Sequence, residues 1–164
     1  MTRDEDLPFD TKMLDQMASV CVHFGLNLKS GQDLIITSTV ESLPLVRRIT
    51  EEAYRAGAGV VTTMLSDEEL SLAKYRYGND ESFDRAPEWL FKGMAEAFGN
   101  NTARLAISGD NPMLLSEQDP AKISRAGKAM SIAAKPAMER ITNFETNWNI
   151  VSYPGTAWAK QVFP

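Results

Sequence analysis

Residues 33 to 65 constrain the fold more tightly than any other stretch of the chain. Asp33-Leu34-Ile35-Ile36-Thr37-Ser38 is short, β-branched and apolar enough to be a strand covered on both faces. Val60-Val61-Thr62-Thr63-Met64-Leu65 has the same character. Between them Ser42 stands as an N-cap, and Pro44 is tolerated in a first helical turn. Val46, Ile49, Ala53 and Ala56 then recur at helical spacing, with Arg47, Arg48, Glu51 and Glu52 on the water side and Gly57 as the stop. A strand, a helix of about four turns and a second strand form a βαβ unit, which joins parallel strands by a right-handed crossover. A parallel sheet needs helices on both faces, so the rest of the chain must supply them.

The remaining pattern meets that demand. Residues 11–24 read as an amphipathic helix with Met13, Met17, Val20, Cys21 and Phe24 as its inner stripe, Asp10 as N-cap and Gly25 as stop. Asn27 to Gln32 is turn chemistry. Ser66-Asp67-Glu68-Glu69 reads as a capping box for a helix that ends at Tyr77-Gly78. Residues 79–86 are polar and predict a loop or short turn. Pro87 opens a helix carrying Trp89, Leu90, Met94 and Ala97, closed by Gly99-Asn100-Asn101. Ala103 to Ser108 is a third strand. Asp119-Pro120 begins a helix with Ile123, Ala126, Met130, Ala134, Ala137 and Ile141 inside, which Pro136 is expected to kink or split. Asn147 to Tyr153 is a fourth strand with Pro154-Gly155 as its turn, and Ala157 to Phe163 is helical. The expected fold is α/β, a mostly parallel sheet of about four to five strands with helices on both faces in three layers. Residues 1–164 form a single domain, and the strand order stays open.

Composition excludes several functions. Seventeen Lys and Arg face 22 Asp and Glu, a formal charge of −5, which provides no broad footprint for nucleic acid. No apolar run approaches the ~20 residues of a membrane span. The acidic start, Met1 to Asp10, lacks the apolar core of a signal peptide. The single Cys21 excludes an internal disulfide and fits a reducing compartment, so a cytoplasmic protein is expected. With one Cys and one His, the commoner zinc and two-metal sites cannot be assembled here, although carboxylate-only sites survive.

Ligands of a parallel sheet bind beyond the carboxyl ends of its strands. Four loops qualify: Thr39-Val40-Glu41-Ser42, Ser66-Asp67, Gly109-Asp110-Asn111-Pro112 and Pro154-Gly155-Thr156. None carries a glycine-rich nucleotide motif. Gly109-Asp110-Asn111-Pro112 is the best polar candidate, against the competing reading of a turn chosen for backbone reasons. A stand-alone doubly wound binding or regulatory module of the receiver type is the alternative. It needs acidic residues at the end of strand one beside Asp110, yet Asp33 lies at the strand's start and the far end offers Thr37, Ser38, Thr39 and Glu41. Cys21 and His23 are about 200° apart on a helix and cannot work together. Glu68-Glu69 reads as spent on a cap, and Asp80-Glu81 as a solvated loop. Trp89, Trp148, Trp158 and Tyr153 are expected in the core rather than on a binding face. The end of the chain, with Trp158, Val162, Phe163 and Pro164, reads as leading into a further domain, the alternative being a short helix docked on the sheet. No catalytic, cofactor-binding or metal-ligating residue is assigned.

Several segments in order carry a resemblance. They are Gly25 to Gln32, Ala53 to Ala58, Ser66 to Leu70, Pro87 to Leu90, Ile107 to Pro112, Asp119 to Ile123, Tyr153-Pro154, Ala157 to Lys160 and Phe163-Pro164. Through them the chain resembles the N-terminal domain of the M29 thermophilic-type metalloaminopeptidases from about residue 11 onward. Gly155, between Tyr153-Pro154 and Thr156, departs from the family's usual Tyr-Pro-Thr. The resemblance implies a parent enzyme that releases N-terminal amino acids from peptides, using two divalent ions (Zn, Co or Mg) held in its second half. It also implies a homodimer in which this domain shapes substrate access, is inactive alone, and binds neither nucleic acid nor membrane.

Overall fold

In a computed structural model of the chain, residues 11–162 are described. Asp10, proposed as a cap, and Phe163 and Pro164 lie outside them. Four strands, β1 (Leu34–Thr39), β2 (Val61–Ser66), β3 (Ala103–Ser108) and β4 (Trp148–Ser152), form one sheet in the order β2-β1-β3-β4. Every pairing is parallel, with Leu34 beside both Val61 and Ala103, and Arg104 beside Trp148. Six α-helices accompany the sheet among the described residues. These are α1 (Thr11–Ser19), α2 (Leu43–Arg55), α3 (Glu68–Tyr77), α4 (Glu88–Gly99), α5 (Pro120–Thr142) and α6 (Thr156–Val162).

The two-residue side-chain period of the strands divides the interior into two cores. Leu34, Ile36, Leu105 and Ile107 point to one side, where α1 and α2 supply Leu14, Ala18, Leu45, Val46, Ile49 and Ala53. Ile35 points to the other side and meets Met94 and Phe98 of α4 with Ala137 and Ile141 of α5, flanked by Met64 and Trp148. Helices on both faces of a parallel sheet match the expected three-layer class. The amino edge of the sheet is sealed by a polar lattice. Gln32 Nε2 donates to the Asn101 carbonyl (2.7 Å) and to Asn147 Oδ1 (2.6 Å), and Asn147 Nδ2 donates to the Leu26 carbonyl (2.7 Å).

Several local expectations are corrected. The first helix passes into a π-helical turn, Val20–Gly25, and its inner stripe lies one residue from the expected one. Leu14, Ala18, Cys21 and Val22 are buried, Met17 packs at the margin, and Met13, Val20 and Phe24 are exposed. Two adjacent apolar stripes share the helical period here, and packing on α2 selects the one with Ala18, whose small side chain permits close approach. The Ser42 hydroxyl caps nothing. Ser42 closes a 3-10 turn (Val40–Ser42) and donates back to the Thr39 carbonyl (2.8 Å). Arg48 does not face water: its side chain is 12% exposed, with Nε on Asp15 (2.8 Å) and a second nitrogen on the Pro44 carbonyl (3.0 Å). The cap of α3 is Asp67, which accepts from the Leu70 amide (3.1 Å), because Ser66 still belongs to β2. Pro136 neither ends nor splits α5, which runs unbroken from Pro120 to Thr142. The carbonyl that its missing amide leaves free is that of Ile132, an exposed residue, so the lost bond lies on the solvent side of the helix. On that helix Met130 is exposed, and burial is concentrated at Ala137 and Ile141.

The polar segment 79–86 is a 3-10 turn, Asp80–Asp84, that sets Phe83 fully inside against Tyr75. Two of its three acidic residues, Asp80 and Asp84, are not merely solvated. Arg125 of α5 reaches both, with Nε on Asp84 (2.9 Å) and a terminal nitrogen on Asp80 (2.9 Å). These hydrogen bonds hold both carboxyls below the ordinary aspartate range. A depressed folded-state pKa adds stability above the unfolded value and loses it as pH falls. The advantage of the native protein over Arg125→Gln, read by urea unfolding, is therefore expected to be full near about pH 6 and to shrink below roughly pH 4. Phe98, fully buried between α4, α5 and the sheet, is the larger anchor. Phe98→Ala is expected to cost about 3–5 kcal/mol in the same assay.

Candidate functional site

In a doubly wound sheet the ligand crevice lies where successive crossovers leave in opposite directions. For the order β2-β1-β3-β4 that point falls between the carboxyl ends of β1 and β3. The first strand turns away there through Val40–Ser42, the third through Gly109-Asp110-Asn111-Pro112. The third loop is pinned to the end of β4. The Tyr153 amide donates to the Ser108 carbonyl (2.7 Å), and the Gly155 amide donates to the Gly109 carbonyl (3.2 Å). A Cβ on Gly109 would collide with the Tyr153 carbonyl oxygen, so glycine is required by contact with another backbone.

Most polar groups at this mouth are already engaged. The Asn111 amide donates to Glu68 Oε1 (3.0 Å), and Asn111 Oδ1 accepts from the Met113 amide (3.0 Å). Ser66 Oγ donates to the Ser38 carbonyl (3.2 Å), and the Ser38 and Ser42 hydroxyls bond to each other. The loop singled out in the sequence is thus largely a turn built for backbone reasons, with the Asp110 carboxylate unpartnered among the described residues. Beneath the mouth a crevice of about 550 Å³ runs between the sheet and the α4–α5 pair. Its walls are apolar, with Ala106 from the sheet, Met94 and Phe98 from α4, and Ala137 and Ile141 from α5. Arg104 lines it as well. This half-buried guanidinium has no partner among the described residues, and burial pushes its pKa down.

The other residues considered from sequence are placed elsewhere. Cys21 is buried in the core beside α2, and burial pushes its thiol up, which makes it an inert packing group. His23 is on the surface with Nε2 2.8 Å from Glu52, so Glu52 is half-buried against it rather than facing water. Glu68 serves the Asn111 amide and Glu69 pairs with Arg76 (3.1 Å), so neither closes a capping box. Asp33, at the amino edge, accepts from the Val60 amide (2.8 Å), far from Asp110 at the carboxyl edge. Trp89 is not in the core: it is 75% exposed on α4. Trp148 packs at the margin of the second core, and Tyr153 at the margin of the first, its phenol pushed up by burial. Trp158 on α6 is half-buried.

Among the described residues no group of three or more His, Cys, Asp or Glu is placed to hold a metal ion, and none of the crevice residues is a Cys or His. The donor set of the described residues does not fit a metal centre. What the crevice offers is an apolar enclosure with one cation inside and one carboxylate at its mouth. Arg104 was legible as a lone charge at an inward position of the apolar strand Ala103-Arg104-Leu105-Ala106-Ile107, a signal that the reading by motif passed over.

Gly109→Ala is expected to destabilise the fold by roughly 2–4 kcal/mol, since the opposing atom is backbone and cannot rotate away. Gly31→Ala, at φ +79° with no neighbour within 4 Å, is expected to cost about 1–2 kcal/mol from backbone conformation alone. Paired denaturation curves separate the two effects.

Comparison with known proteins agrees with the ordered segments read from the sequence. Residues 10–164 match the model of the thermophilic metalloprotease (M29) family. Aminopeptidase T of Thermus thermophilus is 44% identical over 151 residues, covering 92% of this chain and 37% of that protein. Aminopeptidase T of Thermus aquaticus is 39% identical over 154 residues, covering 94% and 38% respectively. The solved structure of wild-type AmpT from Thermus thermophilus superposes with a TM-score of 0.90 at 43% identity, over 93% of this chain and 38% of that one. This chain therefore spans less than two fifths of the length of these relatives. By sequence and by fold, it belongs to the M29 family of thermophilic metalloproteases.

Proposed function

We propose that this chain is the N-terminal domain of an aminopeptidase that releases N-terminal residues from peptides. In this reading residues 1–164 form one domain that shapes substrate access, and a separate part of the enzyme carries the chemistry. The observation that carries it is the near-complete match of this chain to just 37–38% of two aminopeptidases, with the fold retained. The lack of any gathered donor set among the described residues is consistent with that division of labour.

The parent enzyme is proposed to use two divalent ions, Zn, Co or Mg, which would supply polarisation of the scissile carbonyl and an activated water. This chain's own contribution is binding and exclusion: an apolar crevice that opens at the carboxyl edge of the sheet. A homodimer in the cytoplasm completes the proposal. The lone reduced Cys21 fits that compartment, and among the described residues no helix is long and apolar enough to cross a membrane.

A chimera tests the assignment. This chain, put in place of the matching segment of Thermus thermophilus aminopeptidase T, is expected to give metal-dependent hydrolysis of a leucyl anilide and to sediment as a dimer. The 164-residue chain by itself is expected to give no turnover with Co²⁺, Zn²⁺ or Mg²⁺. Turnover by the chain alone would refute the placement of chemistry elsewhere, and a folded but inert chimera would count against the role in access.

A further inference from the structure

Strand β3 carries an arginine onto the face of the sheet that packs beneath α4 and α5, where the lining is mainly apolar with hydroxyl groups toward the mouth. Arg104 stands in register with Ile35 on one side and Trp148 on the other, both part of the core beneath α4 and α5. A guanidinium stays ionised and presents five donors in a planar fork suited to a carboxylate. Here it lines an apolar crevice, and no carboxylate of the described residues offsets its desolvation. An unanswered cation in an apolar enclosure calls for an anion that brings its own apolar body.

The dimensions narrow the choice. At about 3.3 Å per residue, Arg104 and Ser108 are ~13 Å apart along the strand, with Asp110 one short turn further out at the mouth. Three or four extended residues span a comparable length. A ligand with a carboxylate at one end and an ammonium at the other would meet Arg104 inside and Asp110 at the mouth. We propose that the crevice between the sheet and the α4–α5 pair binds a short apolar peptide, its C-terminal carboxylate on Arg104 and its ammonium end directed toward Asp110. The carboxylate follows from the crevice itself, whereas the choice of a peptide as its source rests on the function proposed above. This orientation holds the C-terminus deep and leaves the N-terminus at the open edge of the sheet. Chains longer than the crevice would leave their carboxylate away from the cation.

Calorimetric titration of the 164-residue chain with trileucine, with trileucine amide and with free leucine tests this without any turnover. Its failure would leave the peptidase assignment standing, and an inert chimera would leave this site standing. Trileucine is expected to bind at least ten-fold more tightly than either its amide or free leucine. Arg104→Met, which keeps the apolar stem, is expected to abolish the preference for acid over amide and to leave the affinity for the amide unchanged. Equal binding of acid and amide, no binding of trileucine, or an undiminished acid preference in Arg104→Met would each overturn the proposal. Free leucine binding as well as trileucine would overturn the peptide as occupant. Should Arg104→Met fail to fold, the comparison of acid with amide on the unaltered chain decides.

Discussion

The described structure is arranged around β1, a strand hydrogen-bonded along both edges, with helices over both faces of its sheet. Leu34 and Ile36 are fully buried on one side and Ile35 is buried on the other, so the first half of the strand has no surface on which water could substitute for packing. Such a strand is stable only when the βαβ crossover, the second crossover and both helical layers are in place together. The layers differ in character. The side covered by α1 and α2 closes over branched aliphatic residues, whereas the α4–α5 side meets the sheet mainly through Phe98, Ala137 and Ile141. The crevice is what this second, thinner contact leaves between helices and strands.

The two ends of the sheet handle polar groups in opposite ways. At the amino edge, amide side chains of Gln32, Asn101 and Asn147 bind each other and neighbouring carbonyls, and they tie segments more than a hundred residues apart into a closed seam. At the carboxyl edge, serine and asparagine groups shape the loops while Asp110 keeps its charge unanswered among the described residues, as does Arg104 further along the crevice. A buried amide network is worth having only when each member is satisfied. An unsatisfied charge in an apolar wall is a cost to the fold, and a cost of that kind is most readily understood at a place where something binds.

The parallel class, the element order and the span of each strand were legible in the sequence because β-branched runs and helical stripes obey different periods. Strand order was not, since pairing depends on contacts between segments that no local pattern records. Side-chain assignments failed where two patterns were equally consistent with the residues. Met13 and Leu14 head rival stripes on one helix, and packing against α2 decides between them. Ser66 and Asp67 are both good caps, and the length of β2 decides. Pro136 misled because the rule that proline breaks helices assumes that the orphaned carbonyl lacks water, which is untrue on an exposed face. The crevice was located by the general rule for parallel sheets, but its cation was overlooked because a lone arginine forms no motif.

The position of β1 in the chain also has a consequence for synthesis on the ribosome. Its first partner, β2, follows closely, but Ala103, the partner of Leu34 on the other edge, is translated roughly 70 residues later, a delay of several seconds at typical elongation rates. For that interval the most apolar strand of the domain has one bare hydrogen-bonding edge and an uncovered face. The nascent chain is then most vulnerable to mispairing, and a chaperone that binds short aliphatic segments would find its target at Leu34 to Ile36.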